Sequence, residues 1–409
     1  MRHLALPLAL LLSACSSASP AAAPPPGGSA LDAGALQDRD ASPSPEGGGA
    51  TADAAASESG ADAGPPVTTL RVHYPAGSHS LTLRASAAPW SWTAGAAMTA
   101  GPDDTWTVST AAITAPFEWK PLLDDATWSR GPNYKATPGA TLDVYPHFTQ
   151  VQGTWSLAYP FTSQILGNTR GIWIYLPPTY IENTRASMPV LYMHDGQNLF
   201  DPTVAFGGNT WQVQQTMDAA AEDGSIAEAI VVGVENTADR MSEYTPVPDA
   251  TQTPPGGNGE AYLQMLITEL KPQVDAQMRT LPDRAHTTMV GSSLGGLITA
   301  YAGVAHADVF GQVGALSPST WWDSDWLVGD VGATPTSPRP LRVYVDSGDS
   351  GPSNDDVTDT ARLPPAYEKL GYTTGGTLDY LVQAGGQHSE IYWAQRLPGA
   401  LAFLLGPGR

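Results

Sequence analysis

A serine flanked by glycines, with one histidine and a group of aspartates further along, is the part of this 409-residue sequence best suited to chemistry. The segment reads Thr287-Thr-Met-Val-Gly291-Ser-Ser293-Leu-Gly295-Gly296, a β-branched run, a tight turn, then a stretch with helical periodicity. In such a strand–turn–helix setting the G-x-S-x-G pattern holds a serine on a strained turn, with Oγ at the carboxyl edge of a sheet and ready to attack a carbonyl carbon. The hydroxyl needs a base to take its proton. Of eight histidines, only His306 and His388 follow Ser293. His306 falls at the end of the helix that Ser293 itself precedes, where geometry disfavours its return to Oγ. His388 stands in Gly385-Gly-Gln-His388, between a predicted strand and the last predicted helix, and is the better base. An acid must fix the imidazole tautomer and stabilise the imidazolium. The loop Asp346-Ser-Gly-Asp349-Ser-Gly-Pro-Ser-Asn-Asp355-Asp356 supplies the choices. Asp346 still belongs to the preceding strand, and the spacing to the next helix favours Asp355, with Asp356 and Asp349 open. Helix capping before Val357 accounts for surplus aspartates.

Attack on a carbonyl also needs donors for the developing oxyanion. The N–H of Leu294, directly after the serine, is one. The second should come from the turn after His194, from Gly196 or its neighbour Gln197. His194 and Asp195 have no third residue at metal-ligand spacing, so a structural role is favoured, and neither a metal nor another cofactor is implied. Trp322, Asn236, Arg240 and Tyr244 are candidates to line a substrate cleft, with an Arg240–Glu243 structural ion pair as an equal alternative.

These residues need a scaffold, and residues 149–409 alternate apolar strands with amphipathic helices. Strands are predicted over 171–176, 189–194, 229–234, 287–291, 311–316, 341–346 and 378–382, and helices over 210–222, 260–279, 294–304, 358–370 and 391–405. Such alternation predicts an α/β fold with a mostly parallel sheet covered on both faces. Upstream, 67–148 reads as short strands separated by Gly, Pro and Asp turns, a small all-β sandwich with no helix. Its Trp90, Trp92, Trp106, Trp119 and Trp128 suit either a core or a sugar-stacking platform. Residues 16–66 hold eight Gly and eight Pro, no aromatic residue and seven acids against Arg39, the composition of a disordered tether. At the start, Arg2 and His3 precede the apolar run Leu4–Leu12, which is too short to cross a bilayer. It leads into Leu12-Ser-Ala-Cys15, which looks like a bacterial lipobox and predicts lipidation of Cys15, the only cysteine.

Several motifs in order carry a resemblance. They are Met193-His-Asp-Gly-Gln-Asn-Leu-Phe-Asp201, Gly233-Val-Glu-Asn236 with Arg240 and Glu243-Tyr-Thr-Pro246, Gly291–Gly296, Leu316-Ser-Pro-Ser-Thr-Trp-Trp322, and His388. Together they resemble the esterase family that includes esterase D, the enterochelin esterases, and the feruloyl and acetylxylan esterases of carbohydrate esterase family one. The resemblance spans nearly all of 149–409. It implies an α/β-hydrolase fold, with Ser293 as nucleophile and His388 as base. The acidic loop is longer than the short Gly-Thr-x-Asp form of the family. The run Phe117-Glu-Trp-Lys-Pro, Trp128 and Gly131-Pro-Asn-Tyr134 is similar to Ig-like starch- or glycogen-type carbohydrate-binding modules.

The expected function is therefore a lipid-anchored serine carboxylesterase acting on an acylated carbohydrate, exported and attached to a membrane through its N-terminal lipid alone. A siderophore-ester hydrolase, an acyltransferase and a non-catalytic glycan-binding lipoprotein are the alternatives. The net charge of −21 disfavours nucleic acid as a partner, with −6 lying in 16–66 and −16 in 67–409.

Overall fold

The computed structural model describes residues 65–333 and 339–406. Cys15 and residues 16–64 of the expected tether lie outside this range.

Residues 68–144 build two small sheets with period-two burial. Thr68–His73 and Leu81–Ala85 each alternate buried and partly exposed positions, the pattern of strands with one face on a core. The first sheet runs Thr99–Ala100, Thr105–Thr110, Thr68–His73, Thr141–Val144, and its last pairing is parallel. The second runs Ala96–Ala97, Leu81–Ala85, Phe117–Leu123, Thr127–Trp128, with Tyr134–Ala136 also on Phe117–Leu123. Leu70, Val72, Leu83, Phe117 and Trp119 fill the space between them. The five tryptophans divide accordingly. Trp119 is fully buried, while Trp90 and Trp106 pack against this core. Trp92 and exposed Trp128 pair at the surface, 6.1 Å between centroids, with the Arg84 guanidinium over Trp128.

The remaining chain forms a nine-stranded sheet. Its order is Thr154–Trp155, Thr169–Leu176, Ile230–Val234, Val190–His194, Thr287–Ser293, Gln312–Pro318, Arg342–Gly348, Leu378–Gln383, with Tyr159–Thr162 also on Thr169–Leu176. The strands from Ile230–Val234 onward are parallel, whereas the first edge is antiparallel. Val190–His194, Ile230–Val234 and Gln312–Pro318 are buried along their whole length, as strands covered on both faces must be. One core packs the helices Leu294–Ala305, Trp322–Ala333 and Leu363–Lys369. The other packs Val213–Asp223 and Glu390–Leu405 on the opposite face.

The chain leaves Val190–His194 toward one neighbour, Ile230–Val234, and then crosses to the other, Thr287–Ser293. Reversal of strand order opens a crevice at the carboxyl ends of these strands. The turn after His194 and the turn after Ser293 therefore open side by side.

Differences from the sequence reading have local causes. The helix expected over 260–279 runs from Gly259 to Gln277 but opens to π geometry at Leu266–Leu270. The helix expected over 358–370 breaks into Val357–Thr360 and Leu363–Lys369, with Pro364 and Pro365 at the start of the second piece, where their missing N–H is harmless. Trp322–Ala333 is an unanticipated helix, and Pro178–Glu182 is a short one upstream of where helices were expected to start.

That short helix joins the two-sheet part to the large sheet. Glu182 accepts from Tyr74 Oη at 2.8 Å and from the amides of Phe148, Thr149 and Gln150 at 2.6–2.8 Å. Asn183 Nδ2 donates to the carbonyls of His73 and Pro146.

Candidate active site

Ser293 ends its strand at φ 58°, ψ −128°, and Leu294 begins a helix in the next position. A non-glycine residue at positive φ costs of order 1–3 kcal/mol and persists only where its surroundings enforce it. Here the enforcement is close packing. A Cβ on Gly291 would sit 2.5 Å from the Gly295 carbonyl oxygen and 2.6 Å from His194 Cδ2, so only glycine lets strand and helix approach this closely. The turn is also tied sideways: Ser319 N donates to Ser293 O at 3.0 Å, and the two Oγ atoms are 3.5 Å apart.

At the neighbouring strand ends, His388 Nδ1 is 2.6 Å from Asp355 Oδ1. The imidazole is one-third exposed, whereas Asp355 is buried. Burial pushes the Asp355 carboxyl up, but hydrogen bonds from His388, the Gly348 amide and the Ser317 hydroxyl outweigh it and leave it below its ordinary value. The other aspartates are held differently, although Asp356 is near enough for the charge of His388 to act on its carboxyl. Asp349 Oδ1 accepts from the Gly385 amide at 2.7 Å, which shapes the loop before His388. Asp346 is inside Arg342–Gly348, fully buried, and its carboxyl is pushed up to about 6 by that burial, against the opposing charge of Arg396. Asp356 precedes the helix at Val357 and is likewise raised by burial.

The amide of Leu294 is among the first N–H groups of its helix, which intrahelical bonds do not use. Gly196 follows Asp195, itself in the left-handed region at φ 55°. A Cβ at Gly196 would stand 2.6 Å from the Gly233 carbonyl carbon, so glycine is required for this turn to lie against its neighbour. Gln197 spends its Oε1 on the Asn236 amide at 3.3 Å.

Asn236, Arg240, Tyr244 and Trp322 all hold neighbouring groups in place, and Asn236 and Arg240 also remain partly exposed. Arg240 clamps Asp195 with Nε–Oδ1 2.7 Å and Nη2–Oδ2 2.8 Å, and Asn236 Nδ2 adds a bond of 2.6 Å to Oδ1. The alternative Arg240–Glu243 pair does not form. Glu243 instead meets Arg170 at 2.8 Å, with both side chains buried. Tyr244 is fully buried, and its hydroxyl accepts from the Asp195 amide at 3.3 Å. Trp322 is also buried, and its Nε1 donates to the Val247 carbonyl at 2.8 Å. These two aromatic rings lie under the cleft, where their polar atoms find partners, and do not line its wall.

His194 sits beneath the serine turn with Nδ1 2.8 Å from Tyr262 Oη. Burial lowers its imidazole to about 4, so it is neutral at ordinary pH. Among the described residues no group of three His, Cys, Asp or Glu side chains is arranged to hold a metal ion.

The sequence reading missed Ser317, Ser319, Trp393, Arg396, Asn198 and Glu390. Asn198 Nδ2 donates to Glu390 Oε1 at 3.2 Å, joining the Gly196 turn to the helix after His388. Arg396 had a signal: it is the lone cation in the largely apolar Glu390–Leu405 helix, three residues from Trp393. A cation on a buried helix face demands an internal counter-charge.

The sequence profile described as "Putative esterase" matches residues 163–404, more than half of the chain. The chain belongs to this esterase family. An uncharacterized protein YbbA of Bacillus subtilis is 25% identical over 253 residues, covering 59% of this chain and 95% of that one. The iron(III) salmochelin esterase of Escherichia coli is 24% identical over 285 residues, covering 65% of this chain and 62% of that one. An endo-1,4-beta-xylanase/feruloyl esterase of Xylanibacter ruminicola is 28% identical over 198 residues, 45% of this chain and 24% of that one. The esterase is thus a carboxylic ester hydrolase with an α/β-hydrolase-like fold and mixed sheets.

Proposed function

We propose that the esterase hydrolyses acyl esters through Ser293, His388 and Asp355, and that its physiological substrate is an acylated carbohydrate. The observation that supports this most is the 2.6 Å contact between His388 Nδ1 and Asp355 Oδ1. A carboxylate on Nδ1 keeps the proton there and leaves Nε2 as the acceptor. Ser293 Oγ attacks the acyl carbon and its proton passes to His388 Nε2. The amides of Leu294 and of Gly196 or Gln197 receive the oxyanion, each donor worth roughly 3–4 kcal/mol. His388 then protonates the leaving alcohol, and water clears the acyl-enzyme by the same path in reverse.

The similarity to a xylanase/feruloyl esterase and the acidic folded portion support a neutral glycan ester as substrate. The longer stretch shared with a salmochelin esterase supports siderophore-ester hydrolysis as the second reading. The lipobox-like Leu12–Cys15 supports export with a lipid on Cys15 and 16–66 as a tether to residues 67–148 and the hydrolase part beyond.

Hydrolysis of p-nitrophenyl acetate, with a loss of at least 10³-fold in Ser293→Ala, tests the chemistry. Full activity in that variant would sink it. Release of ferulate or acetate from xylan fragments, set against cleavage of a catechol trilactone, decides the substrate class.

A further inference from the structure

Behind the His388–Asp355 pair lies a buried group of side chains that the reaction itself does not use. Ser317, at the end of Gln312–Pro318, stands at φ 40° with no exposure. Its Oγ is 2.7 Å from Asp355 Oδ2, 3.1 Å from Trp393 Nε1 and 2.6 Å from Arg396 Nη2. Indole and guanidinium nitrogens can only donate. Both lone pairs of the hydroxyl are therefore taken, and its single proton must point to Asp355 Oδ2. That oxygen also accepts from the Gly348 amide, and Arg396 Nη2 lies 3.6 Å away. With Oδ2 fixed in this way, Oδ1 is the oxygen presented to His388.

Arg396 is itself held from three sides. Nε lies 3.0 Å from Asp346 Oδ2, Nη1 donates to Gln383 Oε1 at 2.9 Å, and Nη2 engages Ser317. Asp346 Oδ1 in turn accepts from the Ser317 amide at 3.1 Å. Arg396, Asp346 and Asp355 are each at least 97% buried, so one cation sits between two carboxylates out of reach of bulk solvent. Trp393 and Arg396 are one helical turn apart and reach the same hydroxyl, so Glu390–Leu405 delivers both donors as a unit.

We propose that Arg396, anchored by Asp346 and acting through the Ser317 hydroxyl, is a positioning residue that sets which oxygen of Asp355 meets His388. This rests on the triad reading above. It gives the final helix a part in the reaction through a side chain that is itself buried.

The test compares kcat, KM and the pH profile of p-nitrophenyl acetate hydrolysis in Ser293→Ala, Arg396→Gln/Asp346→Asn, Arg396→Lys and Ser317→Ala, all in the full chain. The double variant removes both buried charges together and avoids stranding either one. Its expected behaviour is a kcat at least tenfold lower with KM within about twofold; one charge of each sign leaves, so the acidic limb stays within about half a unit of its wild-type position. Arg396→Lys, which keeps the charge but not the fork, should recover part of the kcat. Ser317→Ala touches no charge and should lose kcat by a similar factor. Wild-type kcat in a folded double variant, or wild-type kcat in Ser317→Ala, would overturn the role of Arg396. Neither result would touch the triad reading, which fails if Ser293→Ala remains active.

Discussion

Two buried aspartates stand at the carboxyl edge of the same sheet, one after Val190–His194 and one after Arg342–Gly348, and they are held in contrasting ways. Asp195 is gripped by Arg240 through both oxygens and by Asn236. Asp355 meets His388 through one oxygen and an amide and a hydroxyl through the other. Burial pushes each carboxyl up, and in each the partners win and bring it below its ordinary value. The outer partners are equally accessible, Arg240 at 29% and His388 at 31% exposure. What separates the two sites is therefore the partner's own chemistry. Guanidinium never gives up its proton under ordinary conditions, so Asp195 is a strut beneath the Gly196 turn. Imidazole exchanges its proton near neutrality, so in the proposed mechanism the same kind of carboxylate becomes the support for a proton transfer.

If this distinction holds, the largest effect belongs to Asp355→Asn. It leaves the shape intact but permits the wrong imidazole tautomer, and kcat should fall by about 10³–10⁴-fold, with a stability loss of about 1 kcal/mol that leaves the chain folded. A loss of less than tenfold would erase the difference between the two aspartates. Arg240→Met should do the opposite. It strands a buried carboxylate and should cost about 3 kcal/mol in urea unfolding, while kcat per folded molecule falls less than tenfold.

His194, packed between Asp195 and the serine turn, sharpens the comparison through pH. In the folded chain burial holds it neutral down to about pH 4, whereas the unfolded chain protonates it near 6.5. The unfolded state thus binds the extra proton between these values, and stability should fall as pH drops through this window, by up to about 3 kcal/mol. His194→Gln should flatten the dependence measured by urea titrations at pH 4.5 and 7; an equal slope in the variant would contradict it. Glu182 provides a carboxylate remote from the site. Its amide and hydroxyl donors outweigh burial and hold it below its ordinary value. Glu182→Gln should cost about 1 kcal/mol, detected as a lower unfolding midpoint, with kcat within twofold of wild type.

The order and type of the sheet's elements were legible because fully buried parallel strands are short apolar runs and the helices between them have a clear period. Ser293 and His388 stood out for a related reason: a glycine-flanked turn and a histidine after a late strand are local signals. The surroundings of Asp195 and Asp355 were not. Arg240 is four residues from no acid that it meets, and its partner lies 45 positions back, so proximity along the chain suggested Glu243 instead. Ser317 and Arg396 are 79 positions apart and meet only because adjacent strands and the final helix converge on one edge. Tyr244 and Trp322 misled for another reason. An aromatic with a polar handle suits a cleft wall or a core with one buried acceptor, and composition does not separate the two.

The most direct measurement is reaction of the full chain with a fluorophosphonate, followed by peptide mass spectrometry and the residual rate on p-nitrophenyl acetate. One adduct on Ser293, formed in step with loss of activity and absent from Ser293→Ala, is the predicted result. An adduct on another residue, or hydrolysis that survives full modification of Ser293, would contradict the assignment of Ser293 as nucleophile.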